Sequence, residues 1–269
     1  MLRQLRAIGG KKFMNKVQQV FSNGRAFIPF ITAGDPTLDI TEQLVLQMAE
    51  ASADLIELGI PFSDPIAEGP VIQEADIRAL SSGTTTDKIF EMVLRIRKSS
   101  DVPIAFMTYI NPIYTYGTDR FMKNCQEAGI AAIIVPDVPF EEKAELAPFC
   151  KKYGVTLISM IAPTSNKRIQ TIAREAEGFI YCVSSLGVTG VRSEISSHAE
   201  EMIKLAKEVS DIPCAIGFGI STPEQAKKMA QFSDGVIVGS AIVKIVAEHG
   251  ENCVPHVAEY VRSMKKAIL

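Results

Sequence analysis

The chain lacks the marks of several broad classes of protein. It carries no run of clustered Lys and Arg, and its formal net charge is -3 over 269 residues. Affinity for a phosphate backbone comes from clustered cations, so a nucleic-acid partner is not expected. No apolar stretch approaches the roughly 20 residues that a membrane-spanning helix needs. The N-terminal stretch MLRQLRAIGGKKF is basic but has no apolar core, so it does not read as a secretory signal. His198, His249 and His256 lack metal-ligand spacing with cysteines or carboxylates, and no metal is expected. The five cysteines are scattered and odd in number, and Cys182 and Cys214 sit in apolar, strand-like runs. That usage fits reduced core thiols in a cytoplasmic protein.

What is present is a regular alternation. Hydrophobic residues make up 47% of the chain and charged residues 22%, enough for a sizeable core. Eight short apolar runs read as strands: 26–31, 54–58, 104–107, 131–135, 156–160, 179–183, 214–217 and 235–238. Pro29 counts against a central strand, since it cannot donate to a ladder. Helical patterns fall at 1–22, 38–52, 71–81, 86–98, 118–128, 141–152, 166–176, 197–209 and 222–232, with one short and one longer pattern in 239–267. Strands alternating with helices imply parallel pairing and right-handed crossovers. No linker divides the chain. The expectation is one α/β domain spanning 1–269, a single (β/α)8 TIM barrel with extra N-terminal and C-terminal helices. Its active site would lie at the C-terminal ends of the strands. A doubly wound open sheet is the alternative, but it would carry an early phosphate-binding glycine fingerprint, and GxGxxG is absent near the first strand.

The densest chemistry lies in ELGIPFSDPIAEGP, Glu57 to Pro70. Glu57 ends an apolar run, where a carboxylate is costly to bury without a partner or a raised pKa. Proton chemistry is one reading of such a residue, and a strand cap meeting a cation is the other. The turns after the last three strands are rich in glycine: Gly190, Gly217, Gly219 and Gly239. There, backbone amides can approach an anion closely, and Ser240 would open a helix whose free amides favour negative charge. Barrels often bind phosphate at these positions, although each glycine alone is a turn residue. Tyr181, Tyr109, Phe30, Phe218 and Ile66 are either core residues or an aromatic and apolar wall. Asp64 and Pro61 read as an exposed loop, either turn residues or partner contacts. Asp137, between prolines, reads as a turn or capping residue.

These segments, with PFITAGDPT, MTYINPI, PDVP, LGVTG, GFGIS and VGSAIVK, closely resemble the tryptophan synthase alpha subunit family, in its motif order and over nearly the whole chain. The resemblance implies a (β/α)8-barrel lyase that splits indole-3-glycerol phosphate into indole and glyceraldehyde 3-phosphate by a retro-aldol step. It implies no cofactor in this chain. The partner would be a beta subunit that carries pyridoxal phosphate and receives the indole, in an alpha2-beta2 assembly. Carried over by position, Glu57 and Glu68 match the catalytic carboxylates, and Tyr181 the tyrosine beside the first. Gly190, Gly219, Gly239 and Ser240 match the phosphate site. Phe30, Met107 and Phe218 match the indole pocket, and Thr189 the loop that closes over substrate. Pro61 and Asp64 match loop positions facing the beta subunit. Two departures stand out. PIAEGP puts Glu68 where the family usually has Asp, and Ser185-Leu186 precede GVTG where Arg-Ser or other residues are common. A binding subunit that activates its partner without catalysing, or another phosphate-sugar barrel enzyme, are the alternatives.

Overall fold

The computed structural model describes residues 16–183, 192–217 and 219–269. The first fifteen residues of the expected N-terminal helix lie outside them, as do Thr189, Gly190 and Phe218. Nine parallel strands form the sheet: β1 (Ala26–Thr32), β2 (Ile56–Gly59), β3 (Ile104–Met107), β4 (Ala132–Ile134), β5 (Thr156–Leu157), β6 (Ser159–Ile161), β7 (Ile180–Val183), β8 (Cys214–Gly217) and β9 (Gly235–Val238). Their order is β5-β4-β3-β2-β1-β9-β8-β7-β6. The two ends of that order, β5 and β6, are halves of one stave separated only by Ile158. The sheet therefore comes round on itself with eight staves, and the expected (β/α)8 barrel is what the chain forms.

Strand periodicity sorts the side chains into two cores. Successive residues of a strand face opposite sides. Ile56 and Leu58 of β2, Phe106 of β3, Ile180 and Cys182 of β7, and Val236 and Val238 of β9 join the large cluster shared with the helices. Ala26, Ile28, Ala105, Ala132, Tyr181, Ala215 and Ile237 face the barrel interior. The interior is closed at its N-terminal end by Val17 of the helix Lys16–Gln19 and by Val20 and Phe21 just after it, all in the same cluster. Phe21 lies 5.6 Å, ring to ring, from Phe179.

The outer helices begin where the sequence supplies caps. Thr37 accepts from the amide of Ile40 at the start of Leu38–Glu50, which buries Leu44, Val45 and Met48 on one face. Thr222 and Gln225 form a reciprocal capping box around Pro223. Two expectations need correction. The segment 141–152 is not one helix but a 3₁₀ turn, Phe140–Glu145, followed by the helix Ala147–Tyr153. The turn after β3 itself enters a helix, Ile110–Tyr116, whose first amide donates to Asp137 at 3.0 and 3.2 Å. Asp137 is thus a capping residue.

Pro29 does not push β1 to an edge, because β1 pairs with both β2 and β9. The odd-numbered residues of β1 turn their backbone groups toward β2: the carbonyl of Phe27 accepts from Asp54 at 3.0 Å, and the amide of Ala33 donates to Gly59 at 2.8 Å. Pro29 has no N–H to offer on that side, and the β1–β2 ladder registers only from Phe30 opposite Glu57 onward. On the other side Pro29 sits opposite Val238. Replacing Phe179 by Ala should cost about 3–5 kcal/mol, the usual price of an emptied aromatic site, read as a lower urea midpoint at unchanged m-value.

Candidate functional site

β2 puts Glu57 on the inward face, in step with Leu55 and out of step with Ile56 and Leu58. The residue is 1% exposed, and neither carboxyl oxygen meets a hydrogen-bond donor among the described residues. Burial, and next the charge of Glu68, push its pKa from 4.5 up to about 8. The group therefore carries a proton at neutral pH. Beside it in register stands Phe30 of β1. Phe30 can lie there because two neighbours have no side chain: a Cβ on Gly59 would come 2.7 Å from its ring, and one on Gly239 would come 3.3 Å.

Tyr181 faces the interior from β7. Its hydroxyl approaches β8 so closely that a Cβ on Gly217 would fall 2.8 Å from it. Burial first, then the charges of Glu57 and Glu68, raise the phenol well above its usual range, so it stays a neutral hydroxyl. Met107 ends β3 and packs on both the interior cluster and the group around Phe30.

Glu68 comes from the loop after β2 and is half-buried, with Oε2 enclosed and unpartnered among the described residues. Burial raises its pKa to about 7; the amides of Ala67 and Glu68 oppose the rise, and the charge of Asp137 adds to it. The loop is braced at several points. The amide of Ala67 donates to the Tyr109 hydroxyl at 2.8 Å, and Gln73 Nε2 donates to the carbonyl of Glu68 at 2.9 Å. Phe62 rests on the Tyr109 ring at 5.4 Å. Tyr109 is therefore a core residue, 3% exposed, whose hydroxyl found a partner.

One cleft of about 1740 Å³ is lined by Phe30, Glu57, Glu68, Met107, Tyr181, Gly219, Gly239 and Ser240 together. Gly219 holds φ +71, a backbone state that L side chains rarely adopt. Ser240 opens the ten-residue helix Ser240–His249, directly after Gly239 as its N-cap. The free amides there favour an anion. Eight of the eleven expected catalytic and substrate-binding positions thus meet in one place. Thr189, Gly190 and Phe218 lie outside the described residues.

The loop at 61–66 departs from expectation. Asp64 is exposed and Ile66 is 80% exposed, but Pro61 is buried. It directly follows β2 and Ile60, whose amide still bonds the carbonyl of Met107 at 2.9 Å, so the ladder carries it below the surface. One polar residue was missed, Asp76, which is 6% exposed. The signal was there: Asp76 shares a helix face with Ile72, Ala75 and Ala79. His249 and His256 stack on each other at 3.8 Å, and no metal-competent group of three or more ligands exists among the described residues.

A parallel (β/α)8 barrel with a buried carboxyl and a second carboxyl in one cleft with glycine turns and a helix N-terminus at the strand C-terminal ends has the form of a barrel enzyme. The family model described as "Tryptophan synthase alpha chain" matches residues 16–269. The tryptophan synthase alpha chain of Lacticaseibacillus casei is 45% identical over 255 residues, 95% of this chain and 96% of that one. The crystal structure of tryptophan synthase subunit alpha from Legionella pneumophila superposes with a TM-score of 0.86 at 37% identity, over 95% of this chain and 98% of that one. A structure of the tryptophan synthase a2b2 complex from Pyrococcus furiosus matches with a TM-score of 0.83 at 36% identity, over 90% of this chain and 99% of that one. The chain belongs to the tryptophan synthase alpha chain family.

Keeping Glu57 buried has a cost that depends on pH. Its pKa of about 8 lies above the 4.5 of an unperturbed glutamate. The folded state therefore holds a proton that the unfolded chain releases, and stability falls as pH climbs through that window. Glu57→Gln removes the titration. The variant should gain on its parent as pH rises from 5 to 9, reaching on the order of a few kcal/mol, measured by denaturant unfolding at each pH.

Proposed function

We propose that this chain cleaves indole-3-glycerol phosphate to indole and glyceraldehyde 3-phosphate, as the alpha chain of a tryptophan synthase. The observation that carries the reading is Glu57, a buried carboxyl with no partner among the described residues and a pKa of about 8, on the interior face of β2. Its proton goes to carbon 3 of the indole ring. As the ring is protonated, positive charge develops at the ring nitrogen, and the Glu68 carboxylate accepts that N–H. The glycerol hydroxyl next to the ring then gives up its proton, with Glu57, now a carboxylate, as base. The O–H pair becomes the aldehyde C=O. The pair of the broken carbon–carbon bond returns to the ring as indole. Phe30 and Met107 bound the ring on its apolar sides, and Tyr181 stands beside Glu57. Gly219, Gly239 and Ser240 present amides to the phosphate; the family resemblance assigns Thr189, Gly190 and Phe218, which lie outside the described residues, to substrate binding as well.

The whole chain serves as one domain, and it needs no cofactor of its own. Its partner is a beta subunit carrying pyridoxal phosphate, in an alpha2-beta2 complex. Asp64 and Ile66 offer the exposed part of the loop for that contact, while buried Pro61 shapes it from beneath. A cytoplasmic location is supported by five free, buried cysteines; no described helix is long and apolar enough to cross a membrane.

Purified protein with its beta partner should release indole, and Glu57→Gln should cut kcat at least about 100-fold with little change in substrate affinity. A large residual rate would remove Glu57 from the chemistry. The pH profile should be bell-shaped. Glu68 works ionised, so activity falls as pH drops below about 7. Glu57 works protonated, so activity falls as pH rises above about 8; both limbs belong to the interacting pair. Glu68→Asp tests the longer side chain. A change in rate of less than about tenfold is expected, whereas a jump from no activity to clear activity would make the parent a binding subunit.

A further inference from the structure

Tyr109 is a buried residue that this mechanism does not use. It stands between β3 and the helix Ile110–Tyr116, as the N-cap of that helix. It does not line the cleft. Its hydroxyl nonetheless reaches the loop after β2, where it accepts the backbone N–H of Ala67 at 2.8 Å. On the other side of Glu68, Gln73 Nε2 donates to the carbonyl of Glu68 at 2.9 Å. One hydrogen bond thus lies on each side of the Glu68 α-carbon, and the two side chains come from different parts of the barrel. Tyr109 is itself anchored twice. Its ring rests on Phe62, and the next amide, that of Ile110, donates to both oxygens of Asp137 at 3.0 and 3.2 Å. A line of hydrogen bonds therefore runs from the turn after β4, through Tyr109, to the backbone beside Glu68.

Given the reaction proposed above, on which this inference rests, we infer that Tyr109 is a positioning residue: its hydroxyl holds the Ala67–Glu68 backbone where the Glu68 carboxyl can accept the indole N–H. No donor among the described residues meets the enclosed Oε2 of Glu68, so where that oxygen stands follows from where its backbone stands. An acceptor must come within about 2.7–3.2 Å of an N–H to bond it. A misplacement of about 1 Å can cost on the order of 100-fold in rate. The phosphate turns lie elsewhere, after β8 and β9, and Tyr109 lines no part of the cleft. Loss of its hydroxyl therefore falls on the step in which charge develops at the ring nitrogen, and it leaves substrate binding nearly intact. Gln73 does the same work from the helix Pro70–Ser81, on the other flank of Glu68.

Tyr109→Phe removes one oxygen and keeps the ring on Phe62. The complex with its beta partner is assayed for indole release, and amide exchange of the whole chain is followed by NMR. In Tyr109→Phe the Ala67 amide should exchange about tenfold faster, and kcat should fall about tenfold with KM changed by less than about twofold. A double-mutant cycle separates positioning from support of the fold. In the Glu68→Gln background no carboxylate remains to be placed, and Tyr109→Phe should change kcat by less than about twofold. Gln73→Ala, made at an exposed side chain, repeats the cycle from the other flank and should lower kcat only where Glu68 is present. Equal fold-losses with and without Glu68 overturn the inference, as does a raised KM at unchanged kcat or an unchanged Ala67 exchange rate. If the parent releases no indole, the reaction proposed above fails, and faster exchange at Ala67 then upholds the brace while striking its catalytic use.

Discussion

The site depends on one constraint: a glutamic acid is enclosed in an apolar barrel interior where no described residue bonds its oxygens. An ionised carboxylate in such a place is costly, so the group stays protonated. The proton so retained is the one that the proposed cleavage would use, and burial in the same interior keeps the Tyr181 phenol neutral. Glycine shapes the neighbouring wall: Phe30 stands in register beside Glu57, and its ring fits because Gly59 and Gly239 carry no side chain.

The second carboxylate is governed differently. Glu57 sits on a strand whose position is fixed by ladders on both sides. Glu68 sits on a loop, and its place is set by side chains reaching in from Tyr109 and Gln73. One reactive group is held by the backbone of the barrel and the other by a small set of polar contacts. Changes in the length of the side chain at position 68 can therefore be absorbed by the loop, whereas β2 has no such freedom at position 57.

Much of this was legible in the sequence. The eight apolar runs fell on the eight staves within a residue or two, because strands buried on both faces leave short unbroken apolar signals. The glycine turns after β8 and β9, and the two carboxylates, were visible because each breaks a local pattern. What stayed hidden depends on distance in the fold. Asp76 is three residues past Gln73 on an ordinary-looking helix, and only the packing of that helix against the mouth of the barrel makes it a buried charge. Pro61 reads as loop in any local window, yet the ladder of β2 carries it below the surface. Pro29 argues against a central strand by rule, and the structure absorbs it by starting the ladder with β2 one residue later.

The stave made of β5 and β6 has a further consequence. Its first half pairs with β4 alone and its second half with β7 alone. Ile158, between the halves, still donates its amide to the carbonyl of Ile133 at 2.9 Å, so the stave passes from one neighbour to the other without a gap. The barrel is closed by a single strand that serves its two neighbours in turn, and the closure rests on the continuity of the chain from Thr156 to Ile161.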